Sequence, residues 1–349
     1  MPLRALKEGQ SIHAYNLSQT EWMQLKEKRK ETTLQMPCCQ NRAIPKTSKL
    51  GTQFFAHGRR GDCITQAESK EHLLAKSIIA QACQDEGWKV TTEYQGETPN
   101  KERWIADVYA KKNKAQLIFE VQWSPQTEKV IRQRQERYRV SGIRSAWLVK
   151  EKKRDYYEIE EQGLPYFEIK YHEENNNFTI PKYNVTLQEF IKGMINKELT
   201  WFPQKGMEVE TGLVTLSVPC WRCKKITQVV AGLEVKNQTE TFKEFYNFDE
   251  VSETIRSMIS PNIQQKYKIG TIKKRYSKTM QQQYLSNGCY HCDAIYGNFF
   301  LREEILELLV CDADLYPILT KIHHLGEEIP LPYQSWNFQG KRGIYNDSI

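Results

Sequence analysis

At 349 residues, with 39% hydrophobic and 27% charged side chains, the chain has the length of two or three ordinary domains and enough apolar material for globular cores, which excludes a disordered chain. A formal charge of +7 and a pI near 8.8 give a mild basicity that permits a polyanionic partner without identifying one, a soluble basic surface being the plain alternative. No apolar run is long enough to span a bilayer and MPLRALKEGQS lacks the apolar segment of a secretory signal, so a cytoplasmic location is expected, in which the 9 cysteines are free thiols or metal ligands before they are disulfides.

Residues 1 to about 35 hold a strand or loop and then a charged helical pattern, SQTEWMQLKEKRKE, where Ser18 and Glu21 suit a capping box and Trp22 and Leu25 would pack a solvated helix. A compact patch runs from Cys38-Cys39 through FFAH, Phe54 to His57, to Cys63. Zinc sites usually draw on CxxC spacing and adjacent cysteines chelate one metal poorly, so Cys38, Cys39, His57 and Cys63 are expected to pack and hydrogen-bond. QAESKEHLLAKSIIAQACQDE, Gln66 to Glu86, reads as a helix with an apolar stripe of Leu73, Leu74, Ala80 and Cys83 with Ile78 or Ile79, ended by Gly87. Glu68, His72 and Lys76 share a second face of it as a polar row. Such a row is ordinarily solvated surface, but this one stands just before the strands that carry the strongest signal.

Those strands are Trp88 to Tyr94, then Trp104 to Ala110 and Gln116 to Trp123, the last two joined across the polar turn Lys111 to Lys114. Alternation puts Leu117, Phe119 and Val121 on one face and Ile118, Glu120 and Gln122 on the other, and sets Asp107 as a carboxylate inside an apolar run. In a hairpin Asp107 and Glu120 can converge. Two carboxylates meeting in a half-buried place need a bound cation, a shared proton or a basic partner, and a divalent metal is the most economical of the three. Ser124-Pro125 then opens a helix that Gly142 closes, with Arg134 and Tyr138 one turn apart on it, and Ser145 to Lys150 reads as a buried strand. The resulting order is helix, strand, strand, strand, helix, strand, an α/β unit.

Residues 151 to 210 read as short aromatic strands continuing the sheet, a polar turn near 173 to 177 and a helix from Leu187, followed by a linker. Further on, Cys220-Trp221-Arg222-Cys223 and Cys289-Tyr290-His291-Cys292 have the spacing of two metal-binding knuckles, which together complete a closed four-cysteine zinc site of structural type. Redox dithiols or unconnected thiols are the alternative. The flanks, TLSVP and ITQVVAG around the first pair and AIYGNFF after the second, read as strands of a zinc-ribbon-like module. The long interval between the pairs is expected to loop out with a helix near Glu250 to Ser260 and the basic stretch Lys266 to Lys278, which either tracks a phosphate backbone or is plain solvated loop. Leu301 to Ile322 reads as one or two helices and the last residues as a surface tail.

Five pieces in order carry a resemblance: FFAH at 54 to 57, the row Glu68, Ser69, His72 and Lys76, the Asp107 strand, Glu120-Val121-Gln122, and the pattern Arg134, Tyr138, Gly142 and Trp147. Over about residues 37 to 150 the chain resembles the PD-(D/E)XK nuclease superfamily and, within it, the competence protein CoiA-like family. The resemblance implies a restriction-endonuclease-like αβββαβ core with a mixed sheet, in which Asp107, Glu120 and the Val121 carbonyl hold Mg²⁺ or Mn²⁺ as hard oxygen ligands. Glu68 would hold the metal through water or complete a second site. The wider superfamily has Lys where this chain has Gln122, which cannot act as a general base but can orient water or donate to a phosphate oxygen. Lys76 or His72 is the candidate for the missing charge.

The expectation is thus a metal-dependent nuclease hydrolysing DNA phosphodiester bonds, in DNA uptake and processing or in defence against foreign DNA. The alternative is a non-cleaving nucleic-acid-binding protein on a degenerate nuclease fold, and RNA stays open as a substrate. The expected divisions are an N-terminal region 1–65, a nuclease core 66–155, a sheet extension and linker 156–210, a four-cysteine zinc-binding domain with helices 211–330 and a tail 331–349.

Overall fold

A computed structural model describes residues 2–59, 61, 63, 68–152, 160–237, 242–310 and 316–340. They form two compact units, one of residues 1–201 with 335–349 and one of residues 202–334.

In the first unit, β1 (Arg4–Lys7), β2 (Gln10–His13), α1 (Gln19–Glu27) and β3 (Leu34–Gln35) precede a hairpin of β4 (Ala43–Thr47) and β5 (Gln53–His57). Ser18 and Glu21 do form a capping box at the start of α1, and Trp22 is fully buried below it. Next come α2 (Lys70–Asp85), β6 (Lys89–Glu97), β7 (Arg103–Lys112), β8 (Ala115–Gln122), α3 (Glu128–Val140) and β9 (Arg144–Lys150), the expected αβββαβ order. Then β10 (Tyr166–His172), β11 (Asn177–Ile180), β12 (Val185–Thr186), α4 (Leu187–Ile195) and β13 (Leu199–Phe202) follow.

One mixed sheet of seven strands, in the order β12-β11-β10-β9-β8-β7-β6, organises the unit. The strands β6, β7 and β8 form an antiparallel meander, whereas β9 runs parallel to both β8 and β10. Parallel neighbours need a crossover, and α3 supplies it between β8 and β9. The helices cover both faces: α2 and α4 pack with Val108, Phe119, Val121 and Leu148, while Ile131 and Tyr138 of α3 pack with Trp104, Ile118 and Trp147. With both faces covered, the interior of β9 from Ser145 to Val149 is buried without a break.

The small residues Ala75, Ala80 and Ala82 let α2 lie close on the sheet, and it starts where Ser69 Oγ accepts the His72 N–H at 3.1 Å. Residues 66 and 67 of the expected helix lie outside the described residues, and Glu68 precedes its first turn. The start of α3 differs from expectation, because Thr127 in an extended conformation is its cap and Pro125 stays in the preceding loop.

In the second unit, β14 (Glu208–Pro219), β15 (Ile226–Lys236), β16 (Lys243–Asn247), α5 (Phe248–Met258), α6 (Pro261–Tyr267), β17 (Lys273–Ser277), β18 (Gln282–Gly288), β19 (Ile295–Tyr296), α7 (Asn298–Val310) and β20 (Thr320–His324) give two sheets, β16-β15-β14-β20 and β17-β18-β19. Several expectations are corrected here. The interval between the cysteine pairs does not loop out, since Phe248, Val251, Ile255 and Met258 of α5 are buried in the main core of this unit. The basic stretch is partly a strand, and Lys273 and Arg275 are paired with Asp293 within the fold. Asn298 and the two phenylalanines after it open α7. Residues 311–315 of the expected helices lie outside the described residues, and Thr320 to His324 are strand, because β14 offers an unpaired edge that they complete.

The chain then returns to the first unit as β21 (Ser335–Phe338), which pairs with β13. This corrects the tail: Phe338 is 2% exposed, its ring lies 5.0 Å from that of Phe190, and it comes so near Gly193 that a Cβ there would meet it at 2.5 Å. Among the described residues no helix is long and apolar enough to cross a membrane. Phe338→Ala is expected to lower the unfolding free energy by about 3 to 5 kcal/mol in a urea titration. An unchanged midpoint would show that the segment contributes nothing to the core.

Candidate active site and metal clusters

Alternation along β6 and β7 breaks at one place. Thr92 pairs with Val108 and Tyr94 with Ala106, but Glu93 and Asp107, the pair between them, are left out of the ladder, and Glu93 takes a φ of 49°. Val108 and Ala110 pack on the side of α2, whereas Ala106 and Trp104 pack on the side of α3. The strand therefore changes face at Asp107. A non-glycine residue in the left-handed region is a strained feature that surrounding structure must hold, and such features gather at functional sites.

What holds it is Lys76. Its side chain is fully buried, and its ammonium lies 3.1 Å from Glu68 Oε1, 2.5 Å from Glu93 Oε1 and 3.7 Å from Asp107 Oδ1. Burial alone would strip the proton from this lysine, but Glu68, Glu93 and Asp107 outweigh it and hold its pKa well above the ordinary value. Asp107 Oδ2 accepts the Val121 N–H at 2.9 Å and lies 3.4 Å from His72 Nε2. Burial opposes ionisation of Asp107, yet His72, Lys76 and Arg134 outweigh that and hold it well below the usual carboxylate range.

Above these groups opens a cavity of about 390 Å³ lined by Glu68, His72, Glu93, Asp107, Gln122 and Arg134. One ligand atom each from Glu68, His72 and Asp107 fall within 4.8 Å of one another. Among the described residues, Glu93 Oε2 is buried there without a hydrogen-bond partner. Three carboxylates crowding one ammonium, with a buried carboxylate oxygen left over, form an environment that fits a hard divalent cation.

Glu120 stands apart from that trio. It is 1% exposed, Arg134 donates to its Oε2 at 2.5 Å and the buried Tyr138 hydroxyl donates to its Oε1. The Arg134 guanidinium in turn lies 5.1 Å over the Trp147 ring. Burial first, and then the neighbouring Asp107 carboxylate, push Glu120 up to about 8 against the pull of Arg134 and Tyr138. The Gln122 amide reaches the cavity and donates to the Ser124 carbonyl.

Of the residues singled out from sequence, Glu68, His72, Lys76 and Asp107 come together, and the described contact of Val121 is its N–H rather than its carbonyl. Two things were missed. Glu93 is one, although a lone carboxylate inside WKVTTEY was a signal; the engagement of Glu120 by Arg134 and Tyr138 is the other, with a pair one turn apart on α3 as its trace.

The second unit gathers its own cluster. Cys220 Sγ lies 3.6 Å from Cys292 Sγ and Cys223 Sγ 3.8 Å from Cys289 Sγ, all four within 4.8 Å of one another. Each pair sits on the same kind of turn. The Cys220 N–H bonds the Lys225 carbonyl and the Lys224 N–H returns to the Cys220 carbonyl, with Lys224 at φ 62°. Likewise Cys289 bonds Ala294, Asp293 returns to Cys289, and Asp293 has φ 58°. These are knuckles that can hold one metal ion between them, compatible with a zinc ribbon.

No curated protein matches the chain. Residues 68–209, however, match the family described as the competence protein CoiA, nuclease-like domain, a range that takes in α2, the whole seven-stranded sheet and all of the cavity lining over Asp107 except Pro2, Pro37 and Cys38. Fold order and family match agree, and residues 68–209 are similar to the competence protein CoiA nuclease-like domain.

Proposed function

We propose that the protein is a Mg²⁺- or Mn²⁺-dependent nuclease that hydrolyses DNA phosphodiester bonds, with a structural zinc ion on Cys220, Cys223, Cys289 and Cys292. The observation that carries this reading is the Asp107 carboxylate, kept ionised beside Glu68 and His72 on a cavity of a nuclease-like domain. A divalent cation would be held by Asp107 and Glu68, with the Val121 carbonyl or with Glu120 after loss of its proton, and would supply Lewis-acid stabilisation of the phosphate and a water of lowered pKa.

The chain's own groups divide the remaining work. Lys76 is fully buried among three carboxylates, so it fixes the ligands rather than reaching substrate. His72, on the cavity wall, is the better placed of the two helix residues to meet a phosphate oxygen. Gln122 can turn its amide from the Ser124 carbonyl to an attacking water or a phosphate oxygen. Arg134 and Tyr138 hold Glu120 in place, and its raised pKa keeps a proton near the site at neutral pH. DNA uptake and processing or defence against foreign DNA, in the cytoplasm, are the settings that suit such an enzyme.

Cleavage of single-stranded, duplex and branched DNA with Mg²⁺ or Mn²⁺ tests the proposal. Asp107→Asn and Glu120→Ala should each lower the rate by roughly 10²-fold or more, a loss of several kcal/mol of transition-state stabilisation, while DNA binding persists. No metal-dependent cutting by the wild type, with binding intact in all three proteins, would sink it in favour of a non-cleaving nucleic-acid-binding protein.

A second prediction concerns pH. Glu120 is raised from the usual 4.5 to about 8, so between those values the unfolded chain has released a proton that the folded chain keeps. Its contribution therefore falls as pH rises through that window and levels off above it. Relative to Glu120→Gln, wild-type unfolding free energy should decline from about pH 5 to about pH 8. A difference that is flat or rises across that range would mean that Arg134 keeps Glu120 ionised throughout.

A further inference from the structure

We infer that Cys38, Cys39, His57 and Cys63 form a second zinc site, built on a third knuckle of the same kind as the two that present Cys220, Cys223, Cys289 and Cys292. The turn that carries the adjacent cysteines repeats those knuckles bond for bond. The Met36 N–H donates to the Asn41 carbonyl at 2.8 Å, the Gln40 N–H returns to the Met36 carbonyl at 2.8 Å, and Gln40 takes a φ of 57°. In the cysteine-paired knuckles the first and fourth positions are ligands. Here Met36 occupies the first position and is buried in the N-terminal core, and Cys39 occupies the fourth. Cys38 at the third position supplies the thiol that the first position lacks.

The other two side chains come from the strand that follows and the segment beyond it. His57 ends β5 and is fixed by the ladder pair Ala43 with His57, one residue before the Gly58 N–H bonds the Arg42 carbonyl at 2.8 Å. Cys38 Sγ lies 3.8 Å from Cys39 Sγ, 3.5 Å from Cys63 Sγ and 3.5 Å from His57 Nε2, and all four ligand atoms fall within 4.8 Å of one another. Zinc bonds of about 2.3 Å to sulfur and 2.0–2.1 Å to nitrogen give a tetrahedron with edges of about 3.8 Å between sulfurs and about 3.6 Å from sulfur to nitrogen. The three edges at Cys38, of 3.8, 3.5 and 3.5 Å, come close to these values, as do the two edges of 3.6 and 3.8 Å in the four-cysteine set. A disulfide would need sulfurs about 2.05 Å apart. Three soft thiolates and an imidazole, with all four positions filled by protein, select zinc and leave no open position for catalysis.

The site has a structural consequence. Pro37 and Cys38 also line the cavity over Asp107, so a metal bound here pins one wall of it. Neither the ligands nor the geometry depend on what that cavity does, so metal content tests the site whether or not the protein cleaves DNA.

The test is zinc per chain by plasma mass spectrometry, on full-length protein grown with zinc and dialysed into metal-free buffer. An Asp107→Asn parent keeps the cavity carboxylates from adding to the count. About two zinc ions per chain are expected in the parent, and about one when His57→Ala or Cys39→Ser is added. A parent with one zinc, or two zincs undiminished by both substitutions, overturns the inference, as does a Cys38–Cys39 disulfide found by mass in the isolated protein. If either variant loses its fold by circular dichroism, cobalt titration of the metal-free parent decides. Thiolate-to-cobalt absorption saturating at two equivalents supports the second site, and saturation at one overturns it.

Discussion

The nuclease-like unit depends on one buried ammonium. Lys76 enters the sheet from a helix face otherwise made of alanine, leucine, isoleucine and cysteine, and ties the segment before α2, the strand β6 and the strand β7 to one point through Glu68, Glu93 and Asp107. Removing one partner of a buried charge cluster strands the others in low dielectric at a cost of about 3 to 5 kcal/mol, so the arrangement is self-enforcing. It also accounts for the local geometry. Glu93 leaves the ladder and takes a left-handed φ, and Asp107 marks the change of face in β7 that opens the cavity.

From that point the two carboxylates of β7 and β8 are driven apart in character. Asp107 faces cations and stays ionised, while Glu120 faces burial and Asp107 itself and is pushed up to about 8. Two titratable groups on neighbouring strands with opposite shifts are the pattern by which one site holds both a permanent anion and a proton donor or acceptor. Arg134 and Tyr138 make this stable, because α3 crosses the opposite face of the sheet and delivers both to Glu120 from one turn of helix.

Much of this was legible in sequence because it is local. Helix α2 announces itself by its apolar stripe and by Gly87, the hairpin by alternation around the turn Lys111 to Lys114, and α4 begins at Leu187, where the sequence places it. What was not legible is set by distant partners. Lys76 lies in a polar row that on any isolated helix would be solvated, and only the carboxylates of other segments make burial affordable. Thr320 to His324 become strand because β14 has an open edge, and Ser335 to Phe338 return across the chain to meet Phe190. No spacing rule reaches either contact.

The adjacent cysteines show the same limit in reverse. A rule based on CxxC spacing discounts Cys38-Cys39, since the first position of their knuckle is Met36, and the rule reads residue types rather than the turn that presents them. The turn is defined by backbone bonds and by one left-handed residue, and any four residues that accept that backbone can display ligands from it. The surrounding module gives the metal a reason to be there. Its strands span two to five residues, and its own cluster is seven buried side chains, among them Trp22, Leu34, Met36 and Phe55, while Leu3, Phe54 and Ala56 pack against Leu73 of α2. A core that small supplies little stability by itself, and small modules of this kind are ordinarily fastened by a disulfide or a metal. Thiols 3.5 to 3.8 Å apart rule out the first in this structure, and three thiols gathered with His57 within 4.8 Å of one another suit the second.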